Sequence, residues 1–410
     1  MKILFTTPVI EHPPAGGPNL RIENSIIALN KVSELHVISR LNQIMIGGRE
    51  AEDFFKQYCN KFLYVPSVLP ENKLIKKLRR IVLGKKKCNN SDKLTEKDAK
   101  FIINYAKRNK INIIWFGYGN ISYNLMKKIK ELNPEFKIVC DTDSVWSRFI
   151  LRELPYEKDE KRKIQIKKEG KLKEQEEADW IKWCDVTTAV SEVDADYYKS
   201  LTDDKDRIKI FSNVINLDTY KNKPLPPVDF KNPCIYLAGT FWSQSPMEKA
   251  ARWIIEEVIP IIRKTYPDIH LYIIGQGSDN ILSDVKDKNI TITGKLLSVL
   301  PYLYNSDVSL VPLMFESGTR FKILEAAACE IPITSTTLGA EGINITHGEN
   351  IIIADEPEEF ADAVLKILNN KDFAKQIATN CKKLIQKNYS IEKLADEAKE
   401  IIEYLTQKGS

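Results

Sequence analysis

A chain of 410 residues with 43% hydrophobic and 29% charged side chains has the make-up of a globular protein with two or three cores. Its net charge of +5 is too small to suggest a nucleic-acid binder. Seven cysteines scattered without CxxC pairs argue against a disulfide framework or a structural zinc. The opening apolar run of Ile3-Leu4-Phe5 meets Pro8 too soon for a signal peptide, and no apolar stretch reaches the length of a membrane span, so a cytoplasmic chain is expected.

Ile3-Leu4-Phe5-Thr6 reads as a buried strand and Leu35-His36-Val37-Ile38 as the next. Between them Ile22, Ile26, Ile27 and Leu29 have helical spacing after the loop Pro13-Pro14-Ala15-Gly16-Gly17-Pro18. Further apolar runs at 111–116, 136–140 and 186–190 continue a strand–helix–strand rhythm, which indicates a parallel α/β sheet. Two stretches break it. Residues 73–88 mix Lys76, Lys77, Arg79 and Arg80 with Leu and Ile; they read either as a solvated helix or loop, or as a peripheral contact with anionic membrane. Residues 157–177 are a Lys/Glu run, expected to be an exposed helix.

The proline-rich stretch 222–233 reads as a stiff linker, dividing the chain into domains 1–222 and 230–390. The second α/β series has strands at 235–238, 269–274, 290–293, 308–313 and 331–335. Met247, Ala251, Ile254, Ile255 and Val258 form one helix face, another helix spans about 319–329, and an amphipathic helix fills the tail.

The strongest site signal is Ser317-Gly318-Thr319-Arg320-Phe321-Lys322, where a buried strand gives way to a helix. A helix start offers free N–H groups and a positive dipole end, and normally attracts Asp or Glu rather than Arg320 and Lys322. A bound diphosphate would resolve that conflict; the plainer reading is an ordinary βα junction with solvated cations. Gly239-Thr240 and Gly275-Gln276-Gly277 end two strands in the same orientation, yet neither is a dinucleotide fingerprint and no Walker A sequence occurs. Gly16-Gly17 permits close approach of a ligand, although such a pair is more often a structural turn. Asp141-Thr142-Asp143 has a metal-binding DxD pattern, but Asp194-Ala195-Asp196 and Asp204-Lys205-Asp206 match it equally well. No metal site is therefore expected, and Asp141 or Asp143 reads as an acceptor-orienting group or base at a strand end. Of four histidines, only His12 lies in a loop worth testing.

The second domain carries an ordered series. It includes Gly239-Thr240-Phe241-Trp242, Gly275-Gln276-Gly277, Thr293-Gly294-Lys295, Val311-Pro312-Leu313, Gly318-Thr319-Arg320-Phe321-Lys322-Ile323-Leu324-Glu325-Ala326 and Gly339-Ala340-Glu341-Gly342-Ile343. The series resembles the GT4 glycosyltransferases of GT-B fold; the first domain matches more loosely through Gly16-Gly17, Arg21 and the segments at 189–194 and 212–218. The resemblance implies two Rossmann-like domains with parallel sheets facing across a cleft, the tail 391–410 crossing back to complete the first. It implies a retaining, metal-independent transferase without a cofactor, whose donor is a UDP- or GDP-linked sugar and whose acceptor is a glycan, lipid-linked glycan or protein. By the same resemblance Arg320 and Lys322 would stabilise the departing diphosphate, Glu325 would bind the ribose, and Gly294, Lys295 and Leu296 the base. Gly17 would approach the phosphates from the other domain, and Gly239, Thr240, Gly275, Ser317, Gly318 and Thr319 would line the donor.

Three departures stand out. Ser317 occupies the place of a common Glu, with Glu316 one position off; only Lys249 remains of an Arg…Lys pair; and the segment at 141–146 lacks its histidine. Two other readings stay open: a nucleotide-sugar epimerase, which needs no acceptor, and a catalytically silent subunit that positions an active partner.

Overall fold

The computed structural model describes residues 1–67 and 90–407, so the basic stretch 73–88 lies outside the described residues. Two parallel sheets organise the chain. The first holds β1 (Lys2–Thr7), β2 (Glu34–Ser39), β3 (Lys61–Tyr64), β4 (Ile113–Gly117), β5 (Lys137–Asp141), β6 (Val186–Ala189) and β7 (Ile208–Ile210), in the order β3-β2-β1-β4-β5-β6-β7. The second holds β8 (Cys234–Ala238), β9 (His270–Ile274), β10 (Ile290–Ile292), β11 (Val308–Val311), β12 (Ile333–Ser335) and β13 (Ile352–Ile353), ordered β10-β9-β8-β11-β12-β13. Each sheet reverses its winding once, between β1 and β4 and between β8 and β11. Such switch points leave a crevice at the carboxyl ends of the strands.

The strands are near-continuous apolar runs because helices cover both faces of each sheet. Ile3 and Phe5 pack into one layer while Leu4, between them, packs into the other. The tail helix Ile391–Gln407 lies on the first layer. Its Leu394, Ala398, Ile401 and Leu405 share that core with Ile22, Ile26 and Leu29 of the Gly16–Val32 helix, and Glu397 accepts from Ser212 N at 2.8 Å. The tail therefore returns to the first domain.

Boundaries shift where backbone chemistry intervenes. The helix expected at about 319–329 spans Phe321–Ala328, because Gly318 takes a φ of +77° and Arg320 is extended. The strand expected at 331–335 narrows to Ile333–Ser335, since Pro332 has no N–H to give a ladder. The Lys/Glu run is not an exposed helix throughout. The observed helix, Glu160–Trp183, buries Ile166, Gly170, Glu177, Trp180 and Ile181 along one side. At Gly170 a Cβ would lie 2.4 Å from Leu151, so the Trp146–Leu151 helix packs directly against its backbone.

Candidate functional site at the domain seam

After β11 the chain runs onto the first domain. A Cβ on Gly318 would stand 2.6 Å from the Asp143 carbonyl, the Ser317 hydroxyl accepts from Val145 N at 3.1 Å, and Asn213 Nδ2 reaches the Thr319 carbonyl at 3.4 Å. The carboxyl ends of the two sheets thus meet at β5 and β11. The helix that opens at Phe321 has neither a side-chain cap nor an acidic residue in its first turn, so its dipole end is uncompensated.

The two cations expected at this helix start divide their work. Arg320 is 4% exposed, and its guanidinium donates to the carbonyls of Ser317 (2.8 Å) and Gly318 and, at 3.4 Å, of Leu338. In this arrangement it holds the loop together rather than facing open space. Burial lowers its pKa, opposed by the fields of Glu316, Asp194 and Glu341. Lys322 is different. Its ammonium lies 2.9 Å from Met247 Sδ and forms no ion pair among the described residues. Burial pushes it down to about 8, with Glu316 and Glu325 pulling upward and Arg320 adding to the fall. Lys322 is half-buried, in the first turn of a helix whose dipole end has the same sign as its ammonium, so an anion placed there would be favourable to both.

One turn on, Glu325 accepts from the Tyr220 hydroxyl at 3.1 Å, and burial pushes its carboxyl up to about 7. The glycine loops at the neighbouring strand ends are tightly stacked. Gly275 has a φ of +129°, and a Cβ there would fall 1.9 Å from the Gly239 carbonyl. Gly294 N donates to Ser278 Oγ at 3.1 Å and its carbonyl accepts from Gly275 N, leaving the Lys295 side chain exposed and Leu296 packed on the core. Across the seam, a Cβ on Gly17 would sit 2.9 Å from the Phe321 ring, and one on Gly16 3.9 Å from Thr240 Oγ1. Gly17, Thr240, Ser317, Gly318 and Lys322 therefore belong to one locality, while Gly239, Gly275 and Gly294 shape its backbone.

The strand-end carboxylates separate. Asp141, expected as a candidate facing the cleft, is fully buried: the Arg21 guanidinium donates to it, as does Thr188 Oγ1 at 2.8 Å. Arg21 also donates to Asn213 Oδ1 at 2.6 Å and the Phe211 carbonyl at 3.1 Å, so this pair belongs to the core. Asp143 stays partly open, with its Oδ1 accepting from Asn120 Nδ2 at 2.6 Å and Trp146 Nε1 at 3.3 Å. His12 stacks on Phe54 with ring centres 3.6 Å apart and pairs with Glu23 at 2.8 Å. Among the described residues no three His, Cys, Asp or Glu side chains gather as a metal-ligand set.

One contact across the seam had no sequence signal. Arg152 forms a fork on Glu341 (2.8 and 2.7 Å) and donates to the Glu316 carbonyl at 2.7 Å, with Arg148 3.6 Å from the same Glu341. This clamp ties the Trp146–Leu151 region to the loop carrying Lys322.

Residues 232–370 match the family described as Glycosyl transferases group 1. Among curated relatives, an uncharacterized 44.6 kDa protein in the cps region of Klebsiella pneumoniae is 28% identical over 35% of this chain and 39% of its own length. A glycosyltransferase 1 domain-containing protein of Xenopus tropicalis is 24% identical over 35% of this chain and 44% of its own length. The chain thus spans about two fifths of the length of these relatives. Among solved structures, sucrose-phosphate synthase from Thermosynechococcus elongatus superposes with a TM-score of 0.69 at 14% identity, over all of both chains. Anabaena HepE, solved in complex with UDP and glucose, gives a TM-score of 0.64 at 11% identity over 99% of this chain and all of its own. The fold is GT-B.

Proposed function

We propose that this GT-B chain, whose residues 232–370 match the group 1 glycosyl transferases, moves a sugar from a nucleotide-diphosphate donor to a glycan, lipid-linked or protein acceptor. The observation that carries the reading is Lys322, a half-buried ammonium with no carboxylate in ion-pair reach among the described residues, at an uncapped helix start at the seam. A departing diphosphate gains negative charge as the glycosidic bond breaks, and a fixed cation at a helix dipole stabilises that charge most where water is excluded. Arg320 keeps the loop in place and adds its field. Glu325 takes ribose hydroxyls, the backbone at 294–296 takes the base, and Gly17 leaves room for phosphates between the domains. Asp143 orients the acceptor hydroxyl.

The reaction proceeds with retention and without a metal or other cofactor. The UDP in the HepE complex supports a UDP-linked donor, and the cps location of the Klebsiella relative supports surface-polysaccharide synthesis. No described helix is long and apolar enough to cross a membrane. We place the protein in the cytoplasm, with a peripheral membrane contact through 73–88 that flotation with anionic liposomes would read. Calorimetry with UDP and GDP tests the donor assignment. One of the two should bind with a 1:1 stoichiometry, and binding of neither would favour a silent positioning subunit.

A further inference from the structure

The first domain has a crevice of its own. A cavity of about 320 Å³ opens at the carboxyl end of its sheet, lined among others by Arg40, Asn120, Ser122, Tyr123, Lys173 and Glu176. Arg40 follows β2 and Asn120 follows β4, so the cavity lies beside the switch point between β1 and β4, where an open parallel sheet takes a ligand.

Its chemistry is unbalanced. Lys173 and Glu176 neutralise each other at 2.7 Å. Arg40 has no such partner: its guanidinium donates to the Ser122 hydroxyl, forms no ion pair among the described residues, and leaves a buried Nε unsatisfied. Asp98 acts on it only through its field, the Asp98 carboxylate being taken by Ser67 at 2.6 Å. Burial depresses the guanidinium to about 10, as expected of a charge without a counterion. Ser122 precedes the Tyr123–Leu132 helix, yet its hydroxyl donates to the Tyr118 carbonyl instead of capping, and the first turn contains no acidic residue. The helix therefore begins without a side-chain cap on its first N–H groups.

A second group waits for a donor rather than an anion. Asn120 is 1% exposed; its Nδ2 holds Asp143 while its Oδ1 is buried with no partner. An orphan carbonyl oxygen in a polar cavity is costly unless a hydroxyl fills it. Asp143 in turn touches Gly318 of the donor-side loop, so Asn120 stands one side chain from the seam.

We propose that this cavity is an acceptor subsite for an anionic sugar, with a phosphate or carboxylate on Arg40 and the helix start and a hydroxyl on Asn120 Oδ1. The inference rests on the transferase reading and gives the acceptor a chemical class. Binding of anions at Arg40 would position a saccharide hydroxyl against Asn120 and Asp143, facing the donor.

Ligand-observed saturation-transfer NMR on the full chain tests it with three probes: glucose, glucuronate and glucose 1-phosphate. The anionic probes should give signal at least tenfold stronger than glucose. Signal from glucuronate alone identifies a carboxylate acceptor, and from glucose 1-phosphate alone a phosphate-bearing one; either supports the subsite. Arg40→Met should lose that signal and Arg40→Lys should keep most of it, with melting curves confirming that both variants fold. Equal signal from neutral glucose, or an anion signal unchanged in Arg40→Met, would overturn the proposal. UDP titration of the unaltered protein is read separately. If anionic sugars bind and UDP does not, the donor assignment fails while the anion site stands.

Discussion

Replacing Lys322 with methionine keeps the length of the side chain and removes its ammonium. In the free protein that ammonium is held at about 8 instead of its ordinary 10.5, which corresponds to roughly 3 kcal/mol of unfavourable burial. Partial access to solvent at the cleft lowers this figure, so about 1–3 kcal/mol is the working range. A diphosphate reverses the sign, since a charge-assisted hydrogen bond contributes about 1.5–3 kcal/mol, or roughly 10- to 150-fold in affinity. Lys322→Met should therefore weaken UDP or GDP binding by that factor in calorimetry while melting no lower than the parent. The pH dependence follows. Because the folded pKa lies below the unfolded one, the buried charge opposes folding below pH 8, and stability from this group rises with pH between about 8 and 10.5. A bound anion restores the proton, so affinity falls as pH rises through about 8, and binding above that pH takes up a proton, visible as a buffer-dependent enthalpy. Equal affinity in the variant, with no change between about pH 7 and 9, would refute the reasoning.

Three other outcomes are expected. Arg21→Ala leaves Asp141 buried without its partner and should cost about 3–5 kcal/mol in urea unfolding; a loss below about 1 kcal/mol would contradict the core role assigned to the pair. Arg152→Ala removes the fork on Glu341, a partly exposed pair contributing about 1 kcal/mol. It should open the domains roughly fivefold more often, seen as a larger radius in small-angle scattering. Gly17→Ala places a methyl 2.9 Å from the Phe321 ring; transfer should drop about tenfold with little change in melting temperature, and Phe321→Ala should restore part of it.

Much of this architecture is legible in the sequence for one physical reason. Strands covered on both faces are plain apolar runs, so β1, β2, β8 and β9 announce themselves, and the tail helix shows its stripe at Leu394, Ala398, Ile401 and Leu405. The helix Glu160–Trp183 was harder. Gly170, Glu177 and Trp180 sit on one side, but a buried glutamate and a glycine do not read as apolar periodicity. Long-range pairing was not legible at all. Arg21 meets Asp141 across 120 residues, and Arg152 meets Glu341 across 189, so nothing local distinguishes them from solvated charges. At the helix start the sequence presents Arg320 and Lys322 as equals. Only the folded loop separates a guanidinium spent on carbonyls from an ammonium left beside a thioether.

The most direct measurement of the central claim is donor consumption. Purified protein is incubated with a panel of UDP-, GDP-, ADP- and dTDP-linked sugars, with and without glucuronate- or phosphate-bearing saccharides, and release of nucleoside diphosphate is followed. At least one donor should yield its diphosphate, faster with an acceptor present, and Lys322→Met should slow that release by at least tenfold. Intact donors throughout the panel, together with no binding of UDP or GDP, would contradict the assignment.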